Sequence, residues 1–223
     1  MQKLYHIHLS SRNMNETSAK LISKHFNRPL VFVDLETTGI GARSHEILEV
    51  AAIRIEHGEV TGEFSSLVKP RHNRVSPVIT GITGIRNSDI IDAPFFEDVA
   101  APVIELFKGK ALFVAHNVGF DYSFLSTAYN KLGVHFYPDL FCTVKMSRAL
   151  YGKERKHSLE TIIRYHDIAV ENRHRAYDDA WVMWEFMQIA WQEKGEMAFG
   201  YAVEQQEGVL PPDDKQIDLD LVQ

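Results

Sequence analysis

The stretch VFVDLETTGI (Val31–Ile40) starts as a buried strand and then turns polar where a buried strand should not. Apolar Val31, Phe32 and Val33 lead into Asp34 and Glu36, with only Leu35 between the two acids. Side chains alternate faces along a strand, so Asp34 and Glu36 share one face while Leu35 turns to the other. Two carboxylates on one face of an apolar strand repel each other and resist losing their water. The pair needs a cation to hold.

Two more polar clusters stand at similar boundaries. AHNVGFD (Ala115–Asp121) ends the apolar stretch ALFV and puts Asp121 one helical turn beyond Asn117, a candidate N-cap. HRAYDD (His174–Asp179) puts His174 five residues before Asp179, at the entrance to a long apolar-striped helix. In open α/β sheets functional groups gather where strands end and helices begin. Asp34, Glu36, Asp121 and Asp179 are therefore expected at one edge of the sheet. Oxygen-only ligation favours Mg²⁺ or Mn²⁺ over zinc. Two such ions about 3.5–4 Å apart suit in-line attack on a phosphodiester.

Around these clusters the pattern is α/β. Strands are expected at Leu30–Glu36, Ile47–Glu56 and Glu63–Lys69, the last two joined by a hairpin at Gly58, with a further strand in ALFVAHN. Helices are expected over Thr17–Phe26, Phe95–Phe107, Asn117–Lys131, Thr143–Tyr151, Ser158–His166 and Ala176–Gln192. SPVITGITGI reads as a loop or a short helix. The stripe Ala180, Met183, Trp184, Met187 and Trp191 reads as core. The expected organisation is a lead-in segment (1–28), one domain (29–203) and an acidic tail (204–223), flexible from about Gly208.

At 223 residues, 45% hydrophobic and 24% charged, the chain has enough apolar material for one large core. The single cysteine, Cys142, excludes an intramolecular disulfide and fits a reducing, cytoplasmic setting. No signal-peptide core is visible, and nothing approaches the ~20 apolar residues of a membrane span, so no membrane association is expected. The net charge of −6 is uneven. From Glu204 onward six acids stand against Lys215 alone, so that tail carries five of the six net negative charges. Elsewhere KMSRALYGKERKHSLETIIRYH and ENRHRAYDD concentrate cations. On charge alone these stretches serve equally as phosphate contacts or as a solvated face.

DLETTG, HNVGFD and HRAYDD, in that order, resemble the three motifs of the DEDDh exonuclease family, which includes the proofreading epsilon subunit of bacterial DNA polymerase III. The pattern D-x-E-T-T-G falls on Asp34–Gly39, H-N-x-x-F-D on His116–Asp121, and H-x-A-x-x-D on His174, Ala176 and Asp179. ITGI (Ile82–Ile85), DAPFFEDV and KHSLETI also resemble family segments, and the resemblance runs from about Pro29 to Gln192.

The resemblance implies an RNase H-like α/β fold, with a mixed five-stranded sheet and helices on both faces. It implies that Asp34, Glu36, Asp121 and Asp179 ligate two Mg²⁺ or Mn²⁺ ions, and that His174 is the general base. A histidine suits that task because it titrates near neutral pH. Thr37 and Thr38 are expected either to meet the terminal nucleotide, which the resemblance favours, or to shape the turn before Gly39. Ile82, Thr83 and Ile85 resemble a loop that packs on the terminal base, and Asn117 and Phe120 are expected beside the substrate. His116 is expected to support the site by hydrogen bonding. Cys142 stands where many relatives have Asp and reads as a packing residue.

The implied activity is 3′-to-5′ removal of nucleoside 5′-monophosphates from DNA ends, in replication proofreading or repair, with a DNA polymerase subunit as partner. Two alternatives use the same residues. One is an exoribonuclease on short or structured RNA, since no residue reads as a 2′-hydroxyl sensor. The other is a catalytically silent member acting as a binding module in a replication complex, against which the intact acid set argues. The tail adds QIDLDL (Gln216–Leu221), which resembles the hexapeptide by which bacterial replication proteins dock into the sliding clamp. Gln216, Leu219 and Leu221 are its expected contacts, and Ile217 replaces the pattern's first leucine.

Overall fold

A computed structural model describes residues 16–152, 156–171 and 173–206 of the chain. Its strands are β1 (Leu30–Thr37), β2 (Ile47–Glu56), β3 (Glu59–Leu67), β4 (Leu112–Ala115) and β5 (Leu140–Cys142), in the order β3-β2-β1-β4-β5. β1, β2 and β3 pair antiparallel, whereas β4 runs parallel to both β1 and β5. Its helices are α1 (Glu16–Phe26), α2 (Pro77–Thr83), α3 (Phe96–Glu105), α4 (Gly119–Lys131), α5 (Thr143–Tyr151), α6 (Leu159–His166) and α7 (Ala176–Glu204). The expected mixed sheet of five strands is present.

Alternation along β1 sorts the core into two layers. Leu30 and Phe32 face one side, where Phe32 packs against Trp184 of α7 with ring centroids 5.5 Å apart. Val31, Val33 and Leu35 face the other, among Val103, Phe124, Tyr129 and Phe136. Every residue of the predicted α7 stripe is buried, from Ala180 to Trp191. Burying each large apolar side chain contributes roughly 1.5–3 kcal/mol, so both faces of β1 are strongly specified.

Four differences from expectation are informative, each with a local reason. β3 starts at Glu59, four residues before the expected Glu63. His57 (φ 52°) and Gly58 (φ 84°) form a two-residue turn with positive φ at both positions, which lets pairing begin at once with Glu56↔Glu59. β5 was not legible because three residues carry no period; its register with Phe113–Ala115 defines it. α4 begins at Gly119 with Val118 at the N-cap, so Asn117 is not the cap. Asn117 sits instead at φ 68°, in a preceding turn where its carbonyl accepts the Phe120 N–H at 2.9 Å.

The fourth difference is at the C-terminal end. α7 passes Gln192, breaks at Gly195 (φ 76°, ψ 168°) and resumes to Glu204. The resumed turns return Phe199, Ala202 and Val203 to the core, where Phe199 packs edge-on to Trp191 at 5.1 Å. Residues 204–206, expected in the tail, stay with the body: Gln206 is buried, and its Oε1 accepts the Cys142 N–H at 3.0 Å. No helix among the described residues is long and apolar enough to cross a membrane.

Gly58 joins this hairpin to α1. A Cβ there would stand 2.7 Å from backbone atoms of Ala19 and Lys20, and its φ of 84° disfavours any L side chain. Gly58→Ala is expected to destabilise the fold by about 1–3 kcal/mol, combining backbone strain with overpacking. Urea denaturation measures this; an unchanged midpoint would refute the close approach.

Candidate active site

The β1 alternation that buries Leu30 and Phe32 against α7 carries Asp34 and Glu36 onto the same side. Pairing of β1 with β4 ends at Phe32↔Val114, so the last residues of β1 pass the point where its parallel neighbour turns away toward α4. Parallel strands diverging at their carboxyl ends leave a crevice. Asp121, buried on the first turn of α4, enters it close to the Leu35 amide, which draws its pKa down. Asp179, buried on the first turn of α7, approaches from the other layer, close to the His174 amide. A register shift between Glu36 and Thr37 re-aims the end of the strand.

His174 completes the convergence. Ligand atoms of Glu36, His174 and Asp179 all lie within 4.8 Å of one another. Its backbone is left-handed (φ 59°), an uncommon state for a non-glycine residue. The flanking arginines fix it there. Arg173 forms an ion pair with Asp179. Arg175 is bidentate to Glu49, with Nε 3.1 Å from both carboxylate oxygens and an Nη 2.7 Å from Oε1.

The acids are crowded and poorly solvated, and their protons show it. Burial first, then the charges of Asp121, Asp179 and Glu36, raise the Asp34 carboxyl well above its ordinary value, against the opposing Arg173 guanidinium. Burial, with Asp179 and Glu49 beside it, pushes Glu36 up to about 8. Asp121 is raised to about 8 by burial, although its own and Leu35's amides pull the other way. Asp179 is raised by burial despite Arg173. Four acids whose ionisation is opposed by burial and by one another, with Arg173 the cation that lowers Asp34, Glu36 and Asp179, form an oxygen-rich donor set short of positive charge. That donor chemistry fits a divalent metal.

The other predicted residues divide. His116 has both ring nitrogens engaged: Nδ1 lies 2.9 Å from the Thr143 hydroxyl and Nε2 2.8 Å from the His157 carbonyl. Burial lowers its pKa to about 4, so the ring is neutral. Nε2 then donates to the carbonyl, and Nδ1 accepts from Thr143. Cys142 is buried. Asn117 is exposed and Phe120 half-buried, the latter 5.0 Å from the Phe124 ring.

The two threonine hydroxyls are engaged within the turn at Gly39 and at the residue preceding β2. Thr37 donates its hydroxyl to the Gly39 carbonyl at 2.7 Å, and the Thr38 hydroxyl accepts the Glu46 N–H at 2.9 Å. Both shape the turn. The motif glycine has a steric reason as well, because a Cβ on Gly39 would fall 2.4 Å from the His45 ring. Of the ITGI residues, Ile82 is on the surface at 52% exposure, whereas Thr83 and Ile85 are buried. Thr83 bonds to the Ile79 carbonyl and the Ile85 amide, and Ile85 packs with Leu48, Val75 and Ile90. These two are loop core here, correcting the expectation that all three meet a base. Gln216, Leu219 and Leu221 lie outside the described residues.

Sequence reasoning missed Glu49, Arg173 and Arg175. The signal for Glu49 was a lone acid in the apolar run ILEVAAI, directly opposite Glu36 in the β1–β2 register. The arginines were visible only as part of a cationic stretch.

Comparison with known proteins agrees with this geometry. The PolC-type DNA polymerase III of Caldanaerobacter subterraneus is 35% identical over 150 residues, covering 67% of this chain and 11% of that one. The chain thus spans about a ninth of the length of the curated relatives it matches. The structure of exonuclease X in complex with 5′-overhanging duplex DNA aligns with a TM-score of 0.60 at 26% identity, over 79% of this chain and 96% of that one. Exonuclease I of E. coli in a single-stranded DNA complex aligns with a TM-score of 0.70 at 20% identity, over 78% of this chain and 42% of that one, which speaks to the shared RNase H-like fold alone. Residues 31–186 match the exonuclease family, a span that holds all three motifs. With this family match spanning most of the chain and Glu36, His174 and Asp179 drawn together, the chain belongs to the exonuclease family, in its DEDDh form.

Proposed function

We propose that the protein is a 3′-to-5′ exonuclease that hydrolyses the terminal phosphodiester of DNA and releases nucleoside 5′-monophosphates. The observation that carries this reading is the convergence of Glu36, His174 and Asp179, with Asp34 and Asp121 coupled to them electrostatically. DNA is favoured over RNA because the relatives include DNA polymerases of the PolC type and a neighbour above 25% identity is held in a duplex DNA complex. Proofreading or repair in the cytoplasm, beside a polymerase subunit, is the setting proposed for it, and the PolC-type DNA polymerase III relatives support that reading.

Asp34, Glu36, Asp121 and Asp179 would hold Mg²⁺ or Mn²⁺, two ions per site. Such ions supply charge neutralisation at the phosphodiester and acidify the attacking water. His174 takes the proton of that water, and its left-handed backbone aims the ring into the acidic crevice. The neutral His116 holds the strand end that leads to Asp121. Ile82, Asn117 and Phe120 are the exposed or half-buried groups available to flank the terminal nucleotide.

Asp34→Ala and Asp121→Ala are expected to abolish release of mononucleotides from a 3′-labelled single strand while leaving the circular dichroism spectrum unchanged. Near wild-type rates at saturating Mg²⁺ would sink the metal assignment, and cutting of circular single strands would sink the exonuclease reading. His174→Ala is expected to slow cleavage by roughly 10²–10⁴-fold, the usual contribution of a positioned base. RNA hydrolysed faster than DNA of the same sequence would transfer the reading to RNA.

The raised acids also predict a pH effect on the metal-free protein. Above about pH 4.5 the unfolded chain has released these protons, while the folded chain keeps those of Glu36 and Asp121 up to about 8. The folded state therefore binds more protons, and its stability falls as pH rises through that window. In chelator the melting temperature should drop between about pH 5 and pH 8, and Mn²⁺ should restore it at the upper end. A flat profile in chelator, unaffected by Mn²⁺, would argue against the crowded-acid site.

The tail peptide is proposed to dock on a sliding clamp, which would raise the enzyme's effective concentration at a clamp-bound 3′ end. Calorimetry of residues 208–223 against the host clamp should show micromolar binding that is lost on Gln216→Ala with Leu219→Ala. No binding by the full-length chain would end this part of the proposal.

A further inference from the structure

Glu49 is an acid at the edge of the crevice that none of the three motifs contains. Its side chain is 3% exposed and lies opposite Glu36 on the neighbouring strand. A buried carboxylate in that position reads at first as a fifth metal ligand. The geometry gives it another task. Both of its oxygens are engaged by the Arg175 guanidinium, and Oε2 also accepts the backbone N–H of Ala176 at 3.2 Å. Ala176 is the first residue of α7, so Glu49 caps that helix from a different element.

The residue between these anchors and Arg173 is His174. The chain is thus tied down on both sides of His174, which stands at φ 59°: Arg173 to Asp179 before it, and Arg175 with Ala176 to Glu49 after it. A left-handed backbone at a non-glycine residue persists only where its surroundings over-determine it. The Arg173 arm reaches one of the acids assigned to the metal. The Glu49 arm comes from β2, where Glu49 stands opposite Glu36, but its hydrogen bonds close on Arg175 and Ala176 rather than on an acid assigned to the metal. Arg175 itself is half open to solvent, so its guanidinium lies over Glu49 as a cover.

We propose that Glu49, acting through Arg175 and the first turn of α7, is the positioning residue that holds His174 in its working conformation. This rests on the nuclease reading above. In this role Glu49 needs no contact with the reacting atoms, since both its oxygens are taken by Arg175 and the Ala176 amide. It converts the rigidity of the central sheet into a fixed direction for one imidazole. Displacing a reacting group by about 1 Å costs on the order of 10²-fold in rate, and loss of a partner that orients such a group costs about 10–100-fold.

The test uses the full chain, a 3′-labelled single strand and Mn²⁺. Glu49→Gln keeps the shape and removes the bidentate charge pair; it should lower kcat by about 10–100-fold, with KM and Mn²⁺ affinity by calorimetry each within about threefold of wild type. Arg175→Lys, which keeps the charge but not the fork, should fall between wild type and Glu49→Gln. The deciding measurement is the double variant. In a His174→Ala background Glu49→Gln should cost nothing further, because the clamp acts only through the ring it positions. Multiplicative losses in the double variant would overturn the proposal in favour of a general structural role. Loss of Mn²⁺ binding would overturn it in favour of ligation. Wild-type kcat in both single variants would overturn it outright. An inactive wild-type protein would bring down the nuclease reading itself, whereas an active wild type with any of the preceding results brings down the clamp alone.

Discussion

The site depends on negative charge held where water is scarce. Asp34 and Glu36 cannot leave the α7 side of β1, because the period that places them also buries Leu30 and Phe32 beneath Trp184. Relieving their repulsion by turning them outward would require a one-residue slip, which would expose the core residues of the same strand. The apolar packing thus forces the acids together, and their crowding favours a cation among them. Carboxyls raised to about 8 at Glu36 and Asp121 are the measure of that demand.

The layers on either side supply the remaining groups without sharing a segment of chain. Asp121 comes from the α4 layer and lies buried close to the Leu35 amide of β1. Asp179 comes from the α7 layer, held in place by the same stripe of apolar residues that builds the larger core. Because each acid stands on the first turn of a helix docked on the sheet, the crevice is as rigid as the packing behind it. Loops contribute less here than the motif pattern implies. Thr37 and Thr38 spend their hydroxyls on their own turn, and Thr83 and Ile85 close a small core of their own.

Much of this was legible in the chain because the signals are local. The period-two alternation of β1 gave the shared face of Asp34 and Glu36, and the apolar stripe of α7 gave its buried side. Where the signal depended on a partner, the reading failed. β5 has three residues and exists only through its pairing with β4. The continuation of α7 past Gly195 depends on Phe199 finding Trp191 and Phe26. Asn117 carries the chemistry of a cap, but the chain takes a left-handed turn there first and caps at Val118.

The sequence by itself determined the α/β class, the identities of the four acids and His174, and their order along the chain, since alternation and motif spacing are properties of neighbouring residues. Only the tertiary structure decided how those groups are held. Glu49 and Arg175 are 126 positions apart, and no local pattern couples a strand acid to a residue preceding a distant helix. Their pairing, and with it the constraint on His174, arises because packing of α7 on the sheet brings a buried carboxylate within reach of a guanidinium and a free helix amide. An ionised group buried that deeply must find such partners, and only the folded chain determines which ones are near enough.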